Sequence, residues 1–354
     1  GITFVCILKA CGIARSLDIG EDIDTKIRKQ GLLRENVVLG TALLDMYAKC
    51  GALEKAQDVF DQLPECNVVS WNALISGYAQ NGLGDEALKC FKKMQCDGIS
   101  PNAVTYVCIL KACSTIRLVN IGEEIHKEIH KTELLRKNII LGTALVDMYV
   151  KCDRLEKARE VFDEIQGHDV ASWSVLILGY SQHGLSDEAL NCYIRMQEEG
   201  IAPDAVTYIG ILKACGSVGC LEMGEEIHEE VKRQGLLGKE VSLGTALVDM
   251  YAKCGALRKA HKMFDMLPVQ NVASWTALMT AYAQSGKAWR VLDLFTQSIS
   301  RGITPDSVTL LVVLSACNHA GLVVEGRMIF EAMGRLYCLD PSIEHYNCMV
   351  DLFS

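Results

Sequence analysis

Proline is scarce, with six residues in 354, and there is no polar low-complexity run, so the composition is not that of a disordered chain. No apolar run approaches 18 residues, which leaves no candidate membrane-spanning helix. The 16 cysteines include no C-x-x-C pair, which removes the commonest zinc and redox spacings. Basic charge is not in surplus. A formal charge of −9 counts against gripping nucleic acid by charge alone, though not against base contacts along a locally basic groove. There is also no initial methionine, and the sequence stops at Ser354 inside a helical pattern. We read it as a fragment, so the lack of a targeting segment excludes nothing.

What the sequence has in abundance is apolar material and repetition. Half the residues are hydrophobic, enough for a continuous core. Trp71, Trp173 and Trp275 recur 102 residues apart. Cys11, Cys113, Cys215 and Cys317 keep the same interval, as do Cys50, Cys152 and Cys254. These cysteines stand at helix-interior positions among alanines and aliphatics, where we expect buried small hydrophobes in a reducing compartment. A fixed period of this kind is the signature of a repeat array.

Each 102-residue period divides into stretches of 36, 31 and 35 residues. The boundaries run 1–36, 37–67, 68–102, 103–138, 139–169, 170–204, 205–240, 241–271, 272–306 and 307–342, with a truncated eleventh repeat at 343–354. Within the third repeat, Trp71, Leu74, Ile75 and Tyr78 lie on one helical face. Asn81-Gly82 breaks that helix. Gly84-Asp85 opens a second helix, whose buried stripe is Ala87, Leu88, Phe91 and Met94; Gly98 and Pro101 end it. Ala56 plays the part of Ala87 in the short repeat. Hairpins of this size bury their stripes only by stacking. The fold class is therefore all-α, an α-solenoid of helix-turn-helix repeats in two layers.

Tetratricopeptide repeats require a constant 34 residues and W-x2-L-G-x2-Y, which this sequence does not keep. The stretches VVSWNALISGYAQNG, LGTALVDMYAKCG and VTYVCILKAC resemble instead the pentatricopeptide repeat family, in its plant-type P-L-S arrangement. On that resemblance 1–36, 103–138, 205–240 and 307–342 are L repeats; 37–67, 139–169, 241–271 and 343–354 are S repeats; and 68–102, 170–204 and 272–306 are P repeats. The tail from SVTLLVVLSAC onward is similar to the last motifs of organelle RNA editing factors. In those proteins a following extension carries or recruits a cytidine deaminase.

The resemblance implies a right-handed superhelix that binds single-stranded RNA of an organelle transcript, one base per repeat. It also implies that the fifth and last residues of a repeat select the base. The S pairs are Thr41 with Asn67, Thr143 with Asp169, and Thr245 with Asn271. The P pairs are Asn72 with Asn102, Ser174 with Asp204, and Thr276 with Asp306. Chemistry supports the last position: ionised Asp only accepts and suits the N–H of G or U, whereas Asn donates and suits A or C. The family adds purine preference for Thr or Ser at the fifth position. L repeats carry Val5, Val107, Ile209 and Leu311 there, with variable last residues Asn36, Asn138, Glu240 and Ser342, and are expected to select little. The expected reading, 5′ to 3′, is N-A-C-N-G-G-N-A-G-N, and Asn347 begins an eleventh. The second residues Val38, Val69, Ile140, Ala171 and Ala273 are expected to flank the base as an apolar clamp, Ser242 being the polar exception. Lys49, Lys151 and Lys253 are phosphate candidates; a solvated helix-end lysine is the competing reading.

His126 and His130 have a metal-like spacing, but the next period has His228 and Lys232, so both are expected to be exposed helix residues. His126-Lys127-Glu128 matches the H-x-E of zinc deaminases without the thiolates that would complete the site. No catalytic residue, metal or cofactor is expected within this sequence. The expected role is the targeting module of an organelle C-to-U editing factor, mitochondrial or chloroplast, with editing cofactor proteins or a deaminase as partners and no membrane. The alternatives are RNA stabilisation, splicing or processing, and a peptide-binding scaffold.

Overall fold

A computed structural model describes residues 2–34, 36–132, 134–238 and 240–353, all of them in helices and the turns between them. Internal contacts divide the chain into two compact bodies, Gly1–Leu176 and Ile177–Ser354. The first body opens with α1 (Ile2–Ala14) and α2 (Leu17–Lys29), a 3-10 turn at Leu32–Arg34, then α3 (Val37–Lys49) and α4 (Leu53–Asp61). It continues with α5 (Val68–Gln80), α6 (Gly84–Cys96), α7 (Ala103–Ile116), α8 (Val119–Lys131), the short α9 (Leu134–Lys137), α10 (Ile139–Lys151) and α11 (Leu155–Glu164). The division falls inside α12 (Val170–Gln182). The second body adds α13 (Ser186–Glu198), α14 (Ala205–Val218), α15 (Leu221–Arg233), α16 (Val241–Lys253), α17 (Leu257–Asp265), α18 (Val272–Gln284), α19 (Ala288–Ser300), α20 (Ser307–His319), α21 (Val323–Arg335) and α22 (Ile343–Phe353).

Within the first body α1, α3, α5, α7 and α10 pack side by side, and within the second α14, α16, α18, α20 and α22 do the same. First helices also pack on the second helices of their own hairpins, as α5 does on α6 and α18 on α19. This is an all-α solenoid. The helical 3.6-residue period creates its core: Trp71, Leu74 and Ile75 are buried on α5, facing Ala87, Leu88, Phe91 and Met94 of α6. Tyr78 is only half-buried, because its hydroxyl reaches Gln57 Oε1 at 3.1 Å. Each recurrent tryptophan meets a phenylalanine of the preceding second helix edge-on: Phe60–Trp71, Phe162–Trp173 and Phe264–Trp275 have ring centroids 4.5, 4.6 and 4.7 Å apart.

The turn inside each hairpin needs one residue in the left-handed region. Gly82 (φ +79°) supplies it after α5, and Leu83 N–H closes back on Tyr78 O at 3.0 Å. In the L repeats Gly219 (φ +74°) holds this place after α14, but Arg117 (φ +53°) holds it after α7. A β-carbon there costs roughly 1–2 kcal/mol, part of which glycine gives back as unfolded-state entropy. Arg117–Asp153, an exposed ion pair at 3.2 Å, offsets little of this. Arg117→Gly is therefore expected to raise stability by up to about 1 kcal/mol, read as a higher denaturation midpoint; a lower midpoint would show that the arginine is held by more than its ion pair.

Two sequence expectations need correction. Cys11, Cys113, Cys215 and Cys317 are buried, and burial pushes the Cys113 and Cys215 thiols up to about 12. Of the three cysteines that cap the ends of α3, α10 and α16, Cys152 is buried, but Cys50 and Cys254 are only half-buried. His126 is likewise not an exposed residue. Its ring is half-buried and Nδ1 lies 2.9 Å from Tyr149 Oη; His228 and Tyr251 repeat the contact at 2.7 Å. Desolvation lowers both imidazole pKa values. His130 is exposed, so the i, i+4 pair does not converge. Trp289, outside the tryptophan period, stands 65% exposed on α19.

Candidate nucleic-acid interface

The last residues of the repeats turn out to be helix N-caps. Asn67, Asn102, Asp204, Asn271 and Asp306 precede α5, α7, α14, α18 and α20 in extended backbone conformation. Each accepts the N–H three residues on: Ser70 at 3.1 Å, Thr105 at 3.0 Å, Thr207 at 2.8 Å, Ser274 at 2.9 Å and Thr309 at 2.8 Å. Asp169 accepts from Ser172 N–H at 2.8 Å. In five of the six, the buried hydroxyl at that third position accepts the cap's own backbone N–H in return. Asn36 and Asn138 cap α3 and α10 without a hydroxyl partner, and Glu240 makes no side-chain cap at α16.

Capping explains why Asn or Asp stands at these positions. It does not explain the choice between them, since the two cap about equally well. It does fix the orientation of each group. With Oδ1 taken by the N–H of the helix, Asn67, Asn102 and Asn271 are left with Nδ2, a donor, and Asp169 and Asp306 with Oδ2, an acceptor. None of these five second atoms makes a hydrogen bond among the described residues. Asn and Asp at the same place thus present opposite hydrogen-bonding faces.

The fifth residues lie one turn into the first helices. Asn72 is buried, and its Nδ2 donates to Asn102 Oδ1 at 3.1 Å. Thr276 donates to Val272 O at 2.8 Å, Thr245 to Val241 O at 3.2 Å, and the buried Ser174 to Val170 O at 2.6 Å. Thr143 is half-buried, and its hydroxyl finds no partner among the described residues. Thr41, Asn67 and Asn72 line one groove of about 440 Å³ in the first body, between α1, α3, α5 and α7. Val5, Val38, Val69 and Val104 give it apolar walls, with Lys9 and Asp45 at its edge.

The second residues are exposed in spite of their chemistry: Val38 by 68%, Val69 by 59% and Ile140 by 69%, with Ala171 and Ala273 exposed beside the polar Ser242. Val104, Val206 and Val308 of the L repeats are exposed at the same position, which the sequence reading did not single out. Their place in the period was the available signal. Lys49, Lys151 and Lys253 each pair with an aspartate one turn back, Asp45, Asp147 and Asp249, at 2.6, 2.7 and 2.7 Å. Pairs this exposed are worth at most about 1 kcal/mol, so a phosphate competes with them at little cost.

Comparison with known proteins agrees with the fold. A model of the PPR repeat matches residues 41–68, 143–170, 206–236, 245–272 and 273–303, and a PPR repeat family model matches 66–115 and 168–217. A pentatricopeptide repeat-containing protein of Arabidopsis thaliana is 39% identical over 99% of this chain and 48% of its own length. A chloroplastic one from the same plant is 38% identical over 99% of this chain and 43% of its own length. A putative mitochondrial one is 36% identical, over 99% and 56%. The chain thus spans about half the length of the curated relatives it matches. Among solved structures, the pentatricopeptide repeat protein PPR10 in complex with an 18-nt psaJ RNA element superposes with a TM-score of 0.75 at 17% identity, over 90% of this chain and 48% of that one. PPR10 from maize gives 0.56 at 18%, over 100% and 61%. At these identities the likeness is one of fold.

Proposed function

The chain belongs to the pentatricopeptide repeat family, and from that premise we propose that it binds single-stranded RNA by sequence, one base per repeat. The observation that carries the reading is the groove of the first body. Thr41, Asn67 and Asn72 share it with the exposed valines Val38, Val69 and Val104. Hydrogen-bonding groups between apolar walls are what a splayed-out base requires, with edges to be read and faces to be covered. The fold likeness to a protein whose structure was solved with RNA points the same way.

Each P and S repeat reads with its fifth and last residues, and the L repeats, apolar at the fifth, act as spacers. The order of repeats gives N-A-C-N-G-G-N-A-G-N. Lys49, Lys151 and Lys253 exchange their aspartates for phosphates as the strand settles. The whole protein serves as the targeting part of an organelle C-to-U editing factor, in mitochondria or chloroplasts, where editing cofactors or a deaminase join it. The editing-like tail and relatives named chloroplastic and mitochondrial support that finer reading. The alternating 36, 31 and 35-residue repeats favour it over other RNA duties.

The test is a binding series on ten-nucleotide RNAs. The expected sequence should bind well above a scrambled control, and replacing the sixth base, G, by A should cost roughly 1–3 kcal/mol. Unchanged affinity after that swap means that the placement of the reading pairs is wrong. Indifference to both RNAs marks a peptide-binding scaffold.

A further inference from the structure

The junctions that carry the reading residues are of two kinds, and they differ in the destination of one hydroxyl proton. Where an S repeat gives way to a P repeat, the third residue of the new helix is serine. Its Oγ donates to the cap's backbone carbonyl: Ser70 to Asn67 O at 2.8 Å, Ser172 to Asp169 O at 2.8 Å and Ser274 to Asn271 O at 2.9 Å. The reading side chain is left out of that bond. Where a P repeat gives way to an L repeat, the third residue is threonine, and its hydroxyl turns to the side chain instead. Thr309 Oγ1 donates to Asp306 Oδ1 at 2.7 Å and lies 2.7 Å from the hydroxyl of Thr276, the fifth residue of the same P repeat. Thr105 Oγ1 lies 2.7 Å from Asn72 Oδ1 and 3.1 Å from Asn102 Oδ1, while Asn72 Nδ2 donates to Asn102 Oδ1. Thr207 Oγ1 donates to Asp204 Oδ1 at 2.8 Å.

Thr105 and Thr309 are buried, at 0% and 1% exposure, and no base reaches them. They nevertheless tie together the two residues that do face a base. In the second body Thr309 thus stands between the Thr276 hydroxyl, which also lies 2.8 Å from Val272 O, and Asp306 Oδ1, and leaves Asp306 Oδ2 without a hydrogen bond among the described residues. The S pairs have no such tie. Thr245 bonds its own helix at Val241 O, and the hydroxyl of Thr143 has no partner among the described residues.

We infer that Thr105 and Thr309 are positioning residues for base selection, so that the P pairs Asn72–Asn102 and Thr276–Asp306 read as locked pairs and the S pairs as loose ones. The inference rests on the RNA-binding reading and adds an unequal division of labour within it. A locked pair cannot rotate to accommodate the wrong base, so a mismatched edge leaves a donor or acceptor unpaired. A loose pair relaxes and discriminates less. The plainer account is that serine and threonine are interchangeable halves of a capping box and matter for stability alone.

The two accounts part in binding measurements on the full chain, using ten-nucleotide RNAs that differ only at the ninth base, G or A. The wild type should prefer G. Thr309→Val keeps the branched shape without the hydroxyl and should shrink that preference roughly tenfold. Thr309→Ser should restore it. Ser274→Ala should leave the choice at the eighth base within about twofold. The inference is overturned if Thr309→Val weakens both RNAs alike, if the serine variant does not rescue, or if Ser274→Ala erases its own preference as completely. Thr105→Val, read at the third base as C against U, is a second arm; if both valine variants unfold by circular dichroism, the threonines are structural caps and the inference fails. A wild-type chain that binds neither RNA above a scrambled one brings down the proposed function itself.

Discussion

Asp306→Asn is expected to turn the ninth base preference from G toward A. In the proposed reading the carboxylate faces the base with Oδ2, because Oδ1 is held by Thr309 N–H at 2.8 Å. Asparagine keeps that cap, so the amide NH2 must take the place of Oδ2. A donor then faces N1–H of guanine, where two donors oppose each other, but meets the bare N1 of adenine favourably. RNA with G at that position should lose roughly 1–3 kcal/mol, and RNA with A should gain. The midpoint of thermal unfolding should hardly move, because the two residues cap alike. Equilibrium binding of the two RNAs to the purified variant measures the shift; an unchanged ratio counts against Asp306 as a reading residue.

Trp275→Ala should carry the largest stability cost of any single truncation in the second body. The indole is 1% exposed, meets Phe264 edge-on at 4.7 Å, and has the Arg301 guanidinium 5.2 Å from its ring centre. Emptying a site of that size costs roughly 3–5 kcal/mol. Trp275→Phe should cost under about 1.5 kcal/mol, because it fills most of the volume and removes an indole N–H that has no acceptor among the described residues. A solenoid is held together by neighbours, so the loss should be local. Amide exchange should rise first in α17, α18 and α19. Equal acceleration in α1 would show instead that the array unfolds as one.

The solenoid could be read from residues because its cause is periodic. Trp71, Leu74 and Ile75 lie where a 3.6-residue repeat puts them, and identical stretches repeat the same packing. The 3-10 turn at Leu32–Arg34 and the four-residue α9 were not legible, since so few residues carry no period. Of the candidate site, the residue types at the fifth and last positions could be named from the family resemblance, but not their second duty. N-x-x-S before α5 and D-x-x-T before α20 are capping signals that the sequence itself carries. The contacts of Thr105 and Thr309 were not legible at all. Which way a buried hydroxyl points depends on the neighbouring helix, and a single sequence does not contain that.

The capping position has a consequence for how such a chain changes over generations. In the proposed reading the residue that faces the base also starts the next helix, so its permitted alphabet is set by folding, and asparagine and aspartate both belong to it. One nucleotide change in a codon interconverts them. A lineage can therefore exchange one RNA target for another by steps that the scaffold barely registers, and a repeat array of this design is free to wander in specificity while its architecture stands still.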